Sequence, residues 1–298
     1  MRCPSLTLLI CAATLTTAVG CGDSSSDRGP RANREVVQNL RARNQGDSST
    51  AQSGGSSMDQ ADGWGTIRGR FVYGGQAPAQ PPLSVTKDLQ FCGQHRVLDE
   101  SLVIGPDGGV KNVVVFLRTR DPKVHESYAE KIKQPVVFDN RNCRFEPHVL
   151  LVHTAQPVEI LNSDPVGHNT SVQFQRNPSF SQGVASNERV MQKMDVAETL
   201  PAPAACNVHP WMGGWIVVKD NPYMAVTDEN GNFVIENVPA GVELEFQVWH
   251  ERGAGNQGAV DGTGSVSNVD RGRIKVTVPK DGEVDLKDIT LPPSSFRS

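Results

Sequence analysis

The sequence predicts an all-β protein. The 298-residue chain contains 28 Gly and 20 Pro, and such a turn-rich composition disfavours a helical bundle. Short runs of β-branched and aromatic residues, bounded by Gly, Pro, Asn and Asp, recur from residue 65 to residue 291. The hydrophobic fraction of 37% is sufficient for a core, while a net charge of −4 provides no general attraction for nucleic acid or anionic lipid.

The individual strands are predicted from local patterns. Residues 66–73 alternate in polarity and end at two glycines, which indicates a half-exposed strand. Residues 110–117 are more continuously apolar, which indicates a strand buried on both faces. Two strands are expected within 150–161, and further strands at 172–174, 215–218, 225–227, 233–235, 244–249, 273–278 and 284–291. Residues 251–273 are expected to form a Gly-rich loop, and only residues 124–133 have a helical pattern.

The N-terminus has the pattern of a secretion signal. Arg2 precedes the largely apolar run Leu6–Ala18, and small residues lead to Cys21, so residues 1–20 are predicted to be a signal peptide. The residues Ala-Val-Gly-Cys ending at Cys21 resemble the lipobox of bacterial lipoproteins. This resemblance implies lipidation of Cys21 and attachment to the cell envelope, on its periplasmic or outer surface. A plain secretory signal cut near Gly20 is the alternative.

Two further features are typical of an exported protein: the polar stretch after the predicted signal peptide and the number of cysteines. Residues 21–62 are rich in Ser, Gly, Asp and Gln and are expected to form a disordered tether. If Cys21 carries lipid, Cys92, Cys143 and Cys206 remain, an odd number for an oxidising compartment. The simplest partition pairs Cys92 with Cys143 and leaves Cys206 for chemistry. Sequence alone does not give connectivity, so this pairing is a hypothesis.

The segment 206–212, CNVHPWM, contains the residues with the clearest chemistry. Cys206, His209 and Met212 place a thiol, an imidazole and a thioether at steps of three, the ligand types of copper electron-transfer sites. A second imidazole is expected from His168, which follows a strand predicted to end near Asn162. Zinc is less favoured because its tetrahedral sites prefer Cys and His over Met. A nucleophilic Cys206–His209 pair is disfavoured because no orienting group or oxyanion hole accompanies it.

Together these motifs resemble those of the cupredoxins, the blue-copper electron carriers, and the short loop is most similar to the amicyanin type. The resemblance covers about residues 136–219 and implies a Greek-key β-sandwich. It implies copper in a plane formed by His168, Cys206 and His209, with Met212 as the axial ligand. Asn169 would hydrogen-bond near the thiolate loop and limit its motion.

The resemblance also sets expectations about geometry. The two imidazoles and the sulfur are expected to converge from opposite sheets of the sandwich, and a redox partner is expected to dock on an exposed edge of His209 near Trp211. The Pro-rich residues 201–205 occupy the place of the strand that enters the cysteine in this family, and their prolines disfavour a strand there.

The C-terminal part resembles a second family. Residues 223–250 contain the short motifs TDENGNF, NVPAG and VWH. Through these motifs they resemble the carboxypeptidase regulatory-like domain, a small transthyretin-like β-sandwich. The chain is therefore divided into a cupredoxin-like domain at 63–220 and a second small sandwich at 221–292. The sequence leaves open whether strands from residues 65–117 complete the second sandwich.

These observations predict an electron carrier of the bacterial envelope rather than an enzyme. Its cofactor would be copper and its partner a redox protein that docks transiently, with membrane contact through the lipid only and no nucleic acid. A non-catalytic binding or adhesion lipoprotein for carbohydrate or protein is one alternative. A copper storage or delivery protein using the same residues is another. An oxidase is disfavoured because the sequence has no second cluster of closely spaced histidines.

Overall fold

The computed structural model describes residues 60–297. The predicted signal peptide, Cys21 and the tether through residue 59 lie outside these residues. Within 60–297, no helix combines the length and apolarity needed to cross a bilayer. The strands are β1 (Trp64–Tyr73), β2 (Val114–Leu117), β3 (Val136–Arg141), β4 (Arg144–Glu146), β5 (Val149–His153), β6 (Pro157–Asn162), β7 (His168–Val172), β8 (Phe180–Val184), β9 (Arg189–Lys193), β10 (Ala202–Ala205), β11 (Gly213–Lys219), β12 (Met224–Val226), β13 (Asn232–Pro239), β14 (Glu243–Trp249), β15 (Thr263–Gly264), β16 (Arg273–Thr277) and β17 (Glu283–Leu291). One short helix, α1 (Tyr128–Lys131), and 3-10 turns at Cys92–Gln94, Asn256–Gly258 and Pro293–Ser295 complete the elements.

Strands β3 to β11 form one β-sandwich, which we name the metal-loop sandwich. One sheet has the order β5-β11-β10-β7-β8 and the other has the order β4-β3-β6-β9. The chain passes repeatedly between the two sheets, and β5 pairs with β11 in parallel, as β3 does with β6. Phe138 and Phe145 stack in the core with ring centroids 4.8 Å apart. Cys206 and Met212 belong to the same buried cluster, so the predicted ligand loop is continuous with this core.

The remaining strands form a second β-sandwich, which we name the terminal sandwich. Its sheets have the orders β13-β1-β17-β15 and β12-β2-β14-β16. Strand β1 pairs with β13 and β17, and β2 pairs with β12 and β14. Residues 64–73 and 114–117 therefore lie in the sheets of the C-terminal strands, a point that the sequence left open. The metal-loop sandwich is an insertion between β2 and β12.

The two sandwiches pack face to face through a third apolar cluster. Val114 and Phe116 of β2 join Val149, Val217 and Trp249 in this cluster. The alternate β2 residues point into the core of the terminal sandwich. This arrangement explains why the sequence of β2 is continuously apolar, because a strand buried on both faces exposes no side chain to water.

The structure confirms the all-β class and corrects three local predictions. The strand expected at 172–174 is instead β7, which begins at His168, and the helix expected at 124–133 is only α1. The Pro-rich residues do form a strand, β10. The backbone of Pro203 faces away from Trp215, which donates its N–H to the His148 carbonyl instead. On its other side, the Pro203 carbonyl accepts the N–H of Gln173 at 3.2 Å, one residue beyond the end of β7. The missing proline N–H therefore falls at the end of the β7–β10 ladder, where it is tolerated.

Candidate metal centre

Pairing between two neighbouring strands brings His168 and Cys206 together. His168 is the first residue of β7, Cys206 directly follows β10, and the register places Ala205 opposite Ser171. The backbone N–H of Asn169 donates to the Cys206 sulfur at 3.4 Å. The expectation that these ligands come from opposite sheets is therefore wrong, because both lie at the end of one sheet.

The loop from Cys206 to Met212 is a tight turn held by its own backbone. The N–H of Cys206 donates to the Met212 carbonyl at 3.2 Å, and the N–H of Met212 donates to the His209 carbonyl at 2.9 Å. The N–H of His209 donates to the Cys206 sulfur at 3.4 Å. The Asn169 side chain accepts the N–H of Asn207 at 3.0 Å, which fixes the loop to β7. Met212 is buried at the end of the turn.

The structure brings three predicted donors into one buried group. One ligand atom from each of His168, Cys206 and His209 lies within 4.8 Å of the other two. The imidazole rings of His168 and His209 have centroids 4.6 Å apart, and Nδ1 of His209 lies 3.7 Å from the Cys206 sulfur. Such a separation suits a single metal ion. A second group, Cys143 with Asp164 and His168, is less suitable because the Cys143 sulfur is part of a disulfide.

A carboxylate contacts the outer nitrogen of each imidazole. Nε2 of His168 lies 2.8 Å from Asp164 Oδ2, and Nε2 of His209 lies 2.7 Å from Asp88 Oδ2. An ionised carboxylate only accepts hydrogen bonds, so the hydrogen must be on Nε2 in both rings. Nδ1 of His168 is buried and makes no well-formed hydrogen bond. A buried nitrogen without a partner, whose ring is oriented by a carboxylate, fits the role of a metal ligand.

The electrostatics of this group favour a thiolate. Burial raises the pKa of Cys206, but the adjacent His168 imidazole and hydrogen bonds from the N–H groups of Asn169 and His209 outweigh it and lower the pKa to about 6. Burial lowers the pKa of His168, but its contacts with Asp164 and Cys206 raise that pKa to about 9. Burial alone would raise the pKa of Asp164, yet hydrogen bonds from His168 and two backbone N–H groups hold that pKa below its usual value.

The exposed edge expected for His209 is not present. His209 is completely buried, because Asp88 covers its Nε2 edge and Trp211 packs on the ring with centroids 5.0 Å apart. The exposed part of the loop is instead formed by Asn207, Val208 and Pro210. The histidines outside the three-donor group are His95, His125, His148, His153 and His250.

The structure also contains a disulfide between Cys92 and Cys143, and Cys206 is a free, buried cysteine. Sequence reasoning missed the carboxylates of both Asp164 and Asp88, and Asp88 is the more distant of the two from its imidazole in sequence. It lies 121 residues before His209 and belongs to no motif of spaced ligands, so only the folded structure could identify it.

No protein-family model matches this chain, and no curated protein matches it either. Among solved structures, a copper-containing nitrite reductase from Thermus scotoductus SA-01 is similar at 24% identity and a TM-score of 0.27, over 28% of this chain and 22% of that one. The chain thus covers only about a fifth of the reductase's length.

Two smaller copper proteins match over most of their own length. A point mutant of amicyanin, in its reduced Cu(I) form, is similar at 19% identity and a TM-score of 0.26, over 35% of this chain and 98% of that one. A purple cupredoxin from Nitrosopumilus maritimus is similar at 18% identity and a TM-score of 0.25, over 29% of this chain and 100% of that one. The likeness of the C-terminal part to the carboxypeptidase regulatory-like domain stays a prediction.

Proposed function

We propose that this protein binds one copper ion in a type 1 site and carries single electrons. The observation that carries the proposal is the buried group of His168, Cys206 and His209, whose ligand atoms lie within 4.8 Å of one another. A thiolate with two imidazoles is a donor set that suits copper, and Met212 at the end of the same loop offers a thioether as a weak axial ligand.

The chain's own residues would hold this site in one geometry. Copper, when bound, supplies a one-electron couple between Cu(I) and Cu(II). Cys206 is restrained by the N–H groups of Asn169 and His209, and the loop is restrained by its internal hydrogen bonds. Surrounding apolar side chains exclude water, which would hold a bound copper ion in a low-dielectric environment and influence its reduction potential. A restrained site needs little rearrangement when the electron arrives or leaves.

Burial of the donors favours a carrier over an enzyme and over a copper delivery protein. His168, Cys206 and His209 are at most 3% exposed. An electron needs no direct contact between metal and partner, whereas a substrate or a metal acceptor must reach the ligands. The proposed partner is therefore a redox protein that docks transiently on the exposed loop face at Asn207, Val208 and Pro210.

We place this activity in the bacterial envelope. The signal pattern of residues 1–20 and the lipobox-like Cys21 support export and lipid attachment. The Cys92–Cys143 disulfide supports the same placement independently, since such bonds persist in oxidising compartments.

Titration of the mature protein with Cu(II), followed by visible spectroscopy, tests this function. We expect one equivalent to bind and to give an intense thiolate-to-copper absorption, and Zn(II) to compete for the same site without colour. Copper-loaded protein that stays colourless would defeat the proposal, as would full copper binding after the free thiol of Cys206 has been blocked.

A further inference from the structure

The carboxylate of Asp88 lies between His209 and solvent. Asp88 Oδ2 is 2.7 Å from His209 Nε2, and the two side chains differ sharply in exposure, at 42% for Asp88 and 0% for His209. The imidazole edge that would otherwise face water is therefore covered by a single carboxylate. This residue comes from residues 81–99, which we name the covering segment.

Local structure fixes the position of this carboxylate. Asp88 has a φ of +48°, a left-handed conformation that Asp adopts more readily than most residues. Its carbonyl accepts the N–H groups of Phe91 and Cys92 at 2.9 and 2.8 Å, which closes a turn directly before the Cys92–Gln94 3-10 turn. Cys92 is bonded to Cys143 of the metal-loop sandwich, so the turn that presents Asp88 is covalently attached beside the site.

The same disulfide also connects to the other imidazole. The N–H of Cys143 donates to Asp164 Oδ2 at 2.9 Å, and that oxygen lies 2.8 Å from His168 Nε2. One end of the Cys92–Cys143 bond thus holds the backbone of Asp88, and the other end holds the carboxylate of Asp164. The covering segment is built into the support of the site rather than lying loosely over it.

We propose that Asp88 is a positioning residue of the copper site, which fixes His209 as an Nδ1 ligand and stabilises Cu(II) relative to Cu(I). This proposal rests on the proposed copper function. The carboxylate holds the hydrogen on Nε2, so the lone pair of Nδ1 is directed at the group containing the Cys206 sulfur, 3.7 Å away. Its negative charge, next to a buried ring, favours the more highly charged metal ion.

Two substitutions separate the hydrogen bond from the charge. Asp88→Asn keeps an acceptor oxygen and removes the charge, whereas Asp88→Gly removes both and tolerates the positive φ. Asp121 is a matched control, since it also has a φ of +48°, is exposed, and lies outside the site. We therefore compare each Asp88 variant with Asp121→Asn or Asp121→Gly.

The loaded proteins are compared by Cu(II) affinity and by reduction potential. We expect Asp88→Gly to weaken Cu(II) binding by about ten- to a hundredfold, the usual effect of removing a carboxylate that supports a histidine ligand. Each tenfold loss that is specific to Cu(II) raises the potential by about 59 mV for a one-electron couple. Asp88→Asn should fall between Asp88→Gly and the wild type, and the Asp121 variants should match the wild type.

A metal-free measurement keeps this test independent of the copper proposal. In ¹⁵N NMR of the apo protein, His209 should carry its hydrogen on Nε2 in the wild type and in both Asp121 variants. Asp88→Gly should populate the other tautomer as well. A wild-type potential, affinity and tautomer in Asp88→Gly would overturn the role of Asp88. If the wild type takes up no coloured copper, the proposed function fails, while the tautomer result still decides whether Asp88 positions His209.

Discussion

The two sandwiches both bury histidine, but they use it in different ways. In the metal-loop sandwich, the outer nitrogens of His168 and His209 meet carboxylates, and the rings lie next to the Cys206 sulfur. In the terminal sandwich, His250 is equally buried, packs edge-on against Phe296 with centroids 5.2 Å apart, and accepts the N–H of its near neighbour Arg252 on Nδ1. Burial lowers the pKa of His250 to about 4, so its ring is neutral.

The contrast teaches that the partners of a buried imidazole, rather than burial itself, indicate a ligand. Both groups of His, Cys, Asp or Glu donors close enough to hold an ion, among residues 60–297, lie in the metal-loop sandwich. The core of the terminal sandwich consists of aliphatic and aromatic side chains, such as the stacked pair Phe71 and Phe233. We expect the two units to respond differently to substitution.

Removal of the sulfur should have the largest effect. Cys206→Ala should abolish the thiolate-to-copper absorption and lower copper affinity by several orders of magnitude, because the remaining imidazoles provide no anionic donor. The free energy of unfolding of the metal-free protein should change by only about 1 kcal/mol. Visible spectra and urea unfolding measure the two effects. A variant that retains its colour would assign the absorption to another group.

Removal of the disulfide should destabilise the metal-loop sandwich rather than its neighbour. Cys92 and Cys143 are 51 residues apart, and loop-closure entropy gives about 4 kcal/mol for a loop of this length. The double variant Cys92→Ser, Cys143→Ser should lose about that much unfolding free energy. Amide exchange should increase mainly in β3 to β11. Faster exchange confined to the terminal sandwich would contradict the prediction that the disulfide stabilises the metal-loop sandwich.

Acid should affect the terminal sandwich through His250. Its pKa is depressed from 6.5 to about 4 in the folded state, so the unfolded chain binds a proton in that interval and the folded chain does not. The contribution is therefore neutral above about pH 6.5 and destabilising as pH falls towards 4, up to about 3 kcal/mol. His250→Gln should lose this part of the pH dependence in urea unfolding, without any change in the copper spectrum. Identical pH profiles for both proteins would contradict a buried neutral His250.

The smallest expected change concerns Met212. Met212→Leu conserves volume and should cost less than about 1.5 kcal/mol of unfolding free energy. The thiolate absorption should persist, while the reduction potential shifts, since the axial ligand tunes the potential without forming the coloured bond. Val260, a buried residue of the terminal sandwich, provides a control through Val260→Ile, which should leave the potential unchanged. Loss of colour in Met212→Leu would show that the thioether is structurally indispensable to the site.

The sequence predicted the all-β class and the proximity of Cys206, His209 and Met212 because both depend on local patterns. Strand β2 shows its burial in a run of apolar residues, and β14 shows one buried face in the alternation of polar and apolar residues. The spacing of Cys206, His209 and Met212 within one loop specifies that they lie close together, whatever the rest of the fold.

The unpredicted features depend on contacts distant in sequence. The Asp88–His209 contact joins the covering segment to a loop 121 residues later, and no pattern of spaced residues in the sequence indicates this contact. The prolines of residues 201–205 predicted no strand, but Pro203 is tolerated because its missing N–H lies at the end of the β7–β10 ladder, a position that only the folded structure defines. The pairing of β1 with β13 could likewise be identified only from the folded structure, because β1 precedes the metal-loop sandwich in sequence and β13 follows it.

A crystal structure of the copper-loaded mature protein, with anomalous data collected at the copper edge, would locate the metal and identify its ligand atoms. We expect one strong copper peak bonded to the sulfur of Cys206 and to Nδ1 of both His168 and His209, with the Asp164 and Asp88 carboxylates still in contact with the two Nε2 atoms. A peak that avoids Cys206, or that is bonded through Nε2 of either ring, would contradict this expectation.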